Sequence, residues 1–245
     1  MNTRFNPTAN GRIHLGHAYL ALLNEQVAHN SGGRFIVRFD DNQPDWLATL
    51  GAAQIQHYTD TVIEDLEWLQ IPVDEYCYQS QMEQDKAFRT RMAIHFGAYQ
   101  PQPAGMPFPD IPHNLTTDAA QYPYSPYLCA EKVVMDYLNH VDCVIRGEEL
   151  MGEYGLYCHF RQRMAVVTIP HYYIGRLRDG AQELSDISKT QGNWQVAQMR
   201  ADGMSPDDVR HCLRFSCLRD PYGEWTLDNI KPSPRVFHLD KVKLV

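Results

Sequence analysis

A glycine-bearing loop that runs into a helix, with two histidines at the junction, constrains this chain more than any other stretch. Arg4-Phe5-Asn6 reads as a short strand and Pro7 to Arg12 as a loop. His14-Leu15-Gly16-His17 then opens a helix through Ala18 to Glu25. A strand, a loop and a helix entrance form an anion site, because the first helical N–H groups lack partners and the helix dipole favours negative charge. Histidines three positions apart lie on one helical face. The missing side chain at Gly16 lets a flat group approach the backbone. Both rings can donate to oxygens on which charge develops during displacement at phosphorus.

His14-Leu15-Gly16-His17 resembles the HIGH signature of class I aminoacyl-tRNA synthetases, and its surroundings narrow the likeness. Arg4 to Thr8, with Ala18-Tyr19-Leu20-Ala21-Leu22, is similar to the opening of glutamyl-tRNA synthetases. Gly32 to Asp41 is similar to their strand ending in an acidic pair. Val144 to Leu150 resembles a VIRGED-type segment, and Ile187 to Asn193 a KMSKS loop. The four segments keep the family's order. In size the chain is similar to the truncated relative that charges a modified tRNA nucleoside, the glutamyl-queuosine type.

The resemblance implies an α/β fold, a Rossmann-like parallel sheet of the class I synthetase/nucleotidylyltransferase type with a small C-terminal helical subdomain. Patterning agrees. Arg34 to Phe39 is a β-rich run expected to be the second parallel strand. Ile55, Tyr58, Val62, Leu66 and Leu69 give a helix over Asp45 to Gln70, ended by Pro72. Further helices are expected over Glu83–Ala98, Ala130–Asn139, Glu149–Met164, Trp194–Asp202 and Pro206–Ser216, and strands over Asp142–Arg146 and Ala165–Pro170. The C-terminal end is expected to be irregular. Seven prolines between Tyr99 and Tyr127 exclude regular helix or central strand there. A tRNA-gripping connecting domain occupies this place in the family. The expected division is residues 1–98 for the first half of the nucleotide-binding fold and 99–127 for the shortened connecting segment. Residues 128–185 form the second half, and 186–245 the signature loop and helical subdomain, with no anticodon-binding domain.

The 245 residues can bury a full α/β core. No apolar run is long enough for a membrane span and Met1-Asn2-Thr3-Arg4 is no signal peptide, so a cytoplasmic protein without a membrane partner is expected. Six scattered cysteines without a CxxC pair suit reduced thiols and give no zinc site. A net charge of −8 argues against unaided nucleic-acid binding. A local basic face such as Lys231, Arg235, Lys241 and Lys243 is compatible with tRNA, although a solvated tail explains it as well.

The resemblance assigns the site residue by residue. His14, His17 and Lys189 are the catalytic groups. Thr8, Gly16, Glu149 and Ser188 join them around ATP, which brings Mg2+ with it. Arg4, Asn6, Thr8, Asp40, Tyr127 and Arg146 form the amino-acid pocket. Arg4 and Arg146 would face a substrate carboxylate and Asp40 the α-ammonium, with salt bridges to Asp41 or Glu148 as the structural alternative. The first lysine of the signature loop is replaced by Asp186, and the pocket asparagine by Glu131 or Lys132. Glu149 can equally be a first-turn acid favoured by the dipole. The implied activity is ATP-dependent activation of glutamate or an analogue to an adenylate, with tRNA or another acceptor. Two rivals share features of the motif: a nucleotidylyltransferase or pantothenate-synthetase-like ligase, and a non-catalytic paralogue that only binds.

Overall fold

The computed structural model describes residues 1–41, 50–96, 126–179, 194–232 and 234–236. Strands β1 (Thr3–Phe5), β2 (Phe35–Phe39) and β3 (Glu75–Tyr78) form a parallel sheet in that order, with Arg4 opposite Ile36 and Val37 opposite Tyr76. Strand β4 (Val144–Gly147) pairs in parallel with β5 (His171–Ile174). The two ladders meet at the start of β1. The Asn2 carbonyl accepts from the N–H groups of Asp142 and Cys143 at 3.1 and 3.3 Å, and the Asn2 amide donates to the His140 carbonyl. Across the molecule the order is therefore β3-β2-β1-β4-β5. The winding reverses between β1 and β4, which is where open α/β sheets leave a crevice at the strands' C-terminal ends.

Alternation along the strands separates two cores. Phe35, Val37 and Phe39 of β2 join Leu22 and Leu23 of α1 (Leu15–Asn30) and Val62 and Leu66 of α2 (Ala52–Trp68) on one face. Ile36 points to the other face. It packs with Phe88 and Met92 of α4 (Lys86–Phe96), which follows the short α3 (Gln79–Gln84). Val133 and Val134 of α5 (Pro126–Leu138) and Tyr157 and Phe160 of α6 (Tyr154–Arg163) complete that face. Helices on both faces of a parallel sheet establish the expected fold class.

Several expected boundaries differ. Helix α2 starts at Ala52, because Gly51 is extended (ψ 152°) and serves as its N-cap; residues 45–49 lie outside the described part. The helix expected over Glu83–Ala98 is two helices broken at Asp85, also extended, whose carboxylate accepts from the Ala87 N–H at 2.6 Å. The helix expected from Glu149 begins as a 3-10 turn (Glu148–Glu153) before α6. No strand forms over Ala165–Pro170. Ala165 takes a positive φ of 53°, and pairing with β4 starts where the Pro170 carbonyl accepts from the Val144 N–H at 3.0 Å. The C-terminal end is not wholly irregular, since β6 (Arg178–Asp179) and β7 (Arg235–Val236) pair in parallel. Helices α7 (Val196–Ala201) and α8 (Pro206–Cys217) form where expected. A Ser205/Asp208 capping box fixes the start of α8.

Candidate functional site

A cleft of about 510 Å3 opens at the C-terminal ends of β1 and β4, at the switch point. Arg4, Asn6, Thr8, His14, Gly16, His17, Asp40, Arg146 and Glu149 all line it. Ser188, Lys189 and Asp186 lie outside the described residues, as do the Tyr127 side chain and Lys241 and Lys243. Lys132, Tyr19 and Arg176 line the cleft as well, and the signature motifs do not point to the latter two.

The histidine pair is built by the start of α1. His14 is its N-cap, and its Nδ1 accepts from the Gly16 N–H at 3.1 Å. An accepting Nδ1 places the ring proton on Nε2. The two imidazoles stack with centroids 3.9 Å apart. A Cβ at Gly16 would meet the His14 ring at 2.9 Å, so the glycine makes room for the ring itself. The Leu15 N–H donates to the Trp194 carbonyl and the Val196 N–H to the Ile13 carbonyl, at 2.9 and 3.1 Å. The chain just beyond the signature loop is thereby pinned against the histidine motif.

Arg4 and Arg146 are buried and line the cleft, and the salt bridges to Asp41 or Glu148 that stood as the structural alternative do not form. Both lie on the sheet face that carries α5 and α6, because even positions of β1 and β4 point there. Arg4 donates from Nε and Nη2 to the two oxygens of Asp136 on α5 at 3.0 and 3.3 Å. The fully buried Arg38 reaches the same carboxylate at 2.8 Å, and the Tyr157 hydroxyl donates to it at 2.8 Å. Burial alone would raise the Asp136 pKa, yet the two guanidiniums hold it well below the usual carboxylate range. Arg146 instead pairs with Glu153 at 2.7 Å and donates to the Tyr173 hydroxyl at 3.3 Å. Lys132 binds the other Glu153 oxygen at 3.1 Å. Burial opposes the charge on Glu153, and Lys132 and Arg146 overcome it to lower its pKa. Asp41 instead accepts from the Ser80 N–H at 2.9 Å, at the start of α3.

Asp40 is placed by the backbone. Its N–H donates to the Pro7 carbonyl and its own carbonyl accepts from Ala9, both at 2.9 Å, so the loop after β1 crosses the end of β2. Asn6 is oriented by Arg38, whose Nε donates to its Oδ1 at 2.9 Å. Glu149 sits in the first turn after β4, where Arg176 Nε donates to it at 3.2 Å. A Cβ on Gly147 would collide with the Glu149 carboxylate. The histidine pair at the start of α1, Asp40 and Glu149 thus line one cleft. Arg4, Lys132 and Arg146, the cleft-lining members of two cation–carboxylate clusters, line it as well.

The chain is similar to known proteins in sequence over part of its length and in fold. Residues 1–97 match the family "tRNA synthetases class I (E and Q), catalytic domain". The chain is 44% identical over 78 residues to the glutamate–tRNA ligase of Pyrococcus furiosus, a stretch covering 32% of this chain and 13% of that enzyme. It is 32% identical over 156 residues to the glutamine–tRNA ligase of Deinococcus radiodurans, covering 63% of this chain and 17% of that one. The matched stretches are thus a small part of these relatives. The fold is similar to a glutamate-tRNA synthetase from Elizabethkingia anophelis, with a TM-score of 0.71 and 14% identity, over 99% of this chain and 69% of that chain.

Proposed function

We propose that this chain, whose first 97 residues carry the class I tRNA synthetase (E and Q) catalytic-domain pattern, activates an acidic amino acid with ATP. The amino-acid carboxylate oxygen attacks the α-phosphorus, the bond from that phosphorus to the bridging oxygen breaks, and pyrophosphate leaves. No general base is needed. His14 and His17 donate to the phosphate oxygens, and the open end of α1 favours the same anion. Magnesium bound to the triphosphate would neutralise part of its charge. Lys189 and Ser188 complete the phosphate grip. Glu149 is assigned to the ribose, Thr8 to the space between nucleotide and amino acid, and Asp40 to the α-ammonium.

The observation that carries this reading is that the stacked histidines, Arg146 and Asp40 line the same cleft. A phosphate-binding loop alone would not need a buried cation and an acid in the same cleft. The acceptor proposed first is tRNA, after the ligases the chain is similar to.

Amino-acid-dependent exchange of labelled pyrophosphate into ATP tests the reading, with and without bulk tRNA. Exchange with glutamate alone, abolished by His17→Ala, is expected. Exchange only with tRNA present would make the RNA part of the activating complex. Silence in both conditions from folded protein that still binds ATP would favour the non-catalytic paralogue, with Asp186 as its first suspect.

A further inference from the structure

Arg4 and Arg146, which line the cleft, each belong to an ion cluster in which two cations share one carboxylate. Arg4 and Arg38 share Asp136, while Lys132 and Arg146 share Glu153. Arg4 commits two of its five donors to Asp136. The Nε/Nη2 edge that would grip a carboxylate as a fork already holds both Asp136 oxygens, at 3.0 and 3.3 Å.

The second cluster is open. Glu153 gives one oxygen to the Lys132 ammonium at 3.1 Å and the other to Arg146 Nη1 at 2.7 Å. An ammonium carries three donors and a guanidinium five, so both partners keep donors in hand. Arg146 Nε is buried and finds no acceptor among the described residues. Lys132 is 22% exposed, and both side chains line the cleft. Two cations share the one Glu153 carboxylate, so this cluster carries more positive than negative charge beside the cleft. That arrangement is costly until an anion completes it.

We propose that Lys132 is a specificity-determining residue: held by Glu153 beside Arg146, its ammonium joins Arg146 in taking the distal carboxylate of the amino-acid substrate and so selects the acid over the amide. The inference rests on the amino-acid-activation reading and narrows it, since the chain is similar to ligases for glutamate and for glutamine. A carboxylate offers acceptors to both cations. An amide turns an NH2 donor towards one of them and brings no charge, which leaves the cluster uncompensated.

The test measures glutamate, glutamine and glutarate binding by calorimetry, and their KM values in exchange where they react. The proteins are the full chain, Lys132→Met and Lys132→Arg. Glutamate should bind the wild type at least about tenfold tighter than glutamine. K132M should lose about tenfold for glutamate and glutarate with little change for glutamine, while the KM for ATP stays put; K132R should recover most of the loss. A merely structural lysine would weaken acid and amide together. Should K132M fail to fold, Lys132→Gln supplies the same comparison. An unchanged acid-to-amide ratio in the variants overturns the proposal even if exchange with glutamate proceeds. Lys132-dependent preference for the acid without any exchange overturns the activation reading and leaves the subsite standing. Binding of neither acid nor amide overturns both.

Discussion

His14 has two duties that substitutions can separate. Its Nδ1 caps α1, and its ring lines the cleft. His14→Asn keeps a capping side chain, whereas His14→Ala removes it and should cost about 1 kcal/mol of stability in denaturant unfolding. Both should lower pyrophosphate exchange by roughly 100-fold or more, the usual loss for one donor aimed at developing charge. Equal activity in the Asn variant and the wild type would reduce His14 to a cap. Asp136 has a heavier structural role, because it is the common carboxylate of Arg4 and Arg38. Asp136→Asn leaves two buried guanidiniums short of an anion and should destabilise the fold by about 3–5 kcal/mol. The histidines and both pocket arginines were legible in the sequence because their motifs name them. Asp136 and Glu153 were not, since an acid in a helical pattern reads as a solvated face until its partner is known. One clue was available: Asp136 follows Val133-Val134-Met135 directly, an acid inside an apolar run.

At the scale of elements, β2 was legible through its β-branched and aromatic run, while β3 was hidden. Its residues Glu75-Tyr76-Cys77-Tyr78 are only partly buried, so they carry no continuous apolar signal. Strand β5 was displaced for a related reason. Its sequence His171-Tyr172-Tyr173-Ile174 is less apolar than the Ala165–Pro170 stretch before it, yet Ala165 turns with positive φ and the ladder begins afterwards. His171 in β5 also gives that element a pH dependence. Burial, assisted by the charges of Arg146 and Arg4, lowers its pKa to about 4, against 6.5 for the free group. Between those values the unfolded chain takes up a proton that the native chain refuses, so stability falls as pH drops from 6.5 towards 4 and levels off below. The contribution should be roughly 2 kcal/mol. His171→Gln, compared with the wild type in urea unfolding at pH 7 and pH 4.5, should lose less stability on acidification. Parallel losses in both proteins would assign the acid sensitivity to other groups.

Over the whole molecule, the C-terminal helices are not a loose appendage. Val196, Met199, Val209 and Leu213 share one core with Leu22 of α1 and Leu66 of α2. Arg200 of α7 pairs with Glu64 of α2 at 3.0 Å, and Arg210 of α8 donates to the carbonyls of Leu69 and Gln70. A Cβ at Gly175, which lines the cleft, would run into the Pro232 carbonyl, so the two parts of the chain also touch at the site itself. The histidine loop is thus clamped between the first strand and the segment that follows the signature loop. A ligand bridging histidines and arginine clusters should therefore stabilise the chain as one unit. ATP and glutamate at about 100 times their dissociation constants would add about 2.7 kcal/mol for each independent site. For a chain of this size that is roughly 5–10 °C in Tm per ligand. Calorimetry should show a single transition that moves upward with both ligands. Two transitions, of which only one responds, would mean that α7 and α8 unfold independently of the cleft. The shared core would then be too weak to couple the signature loop to the histidines.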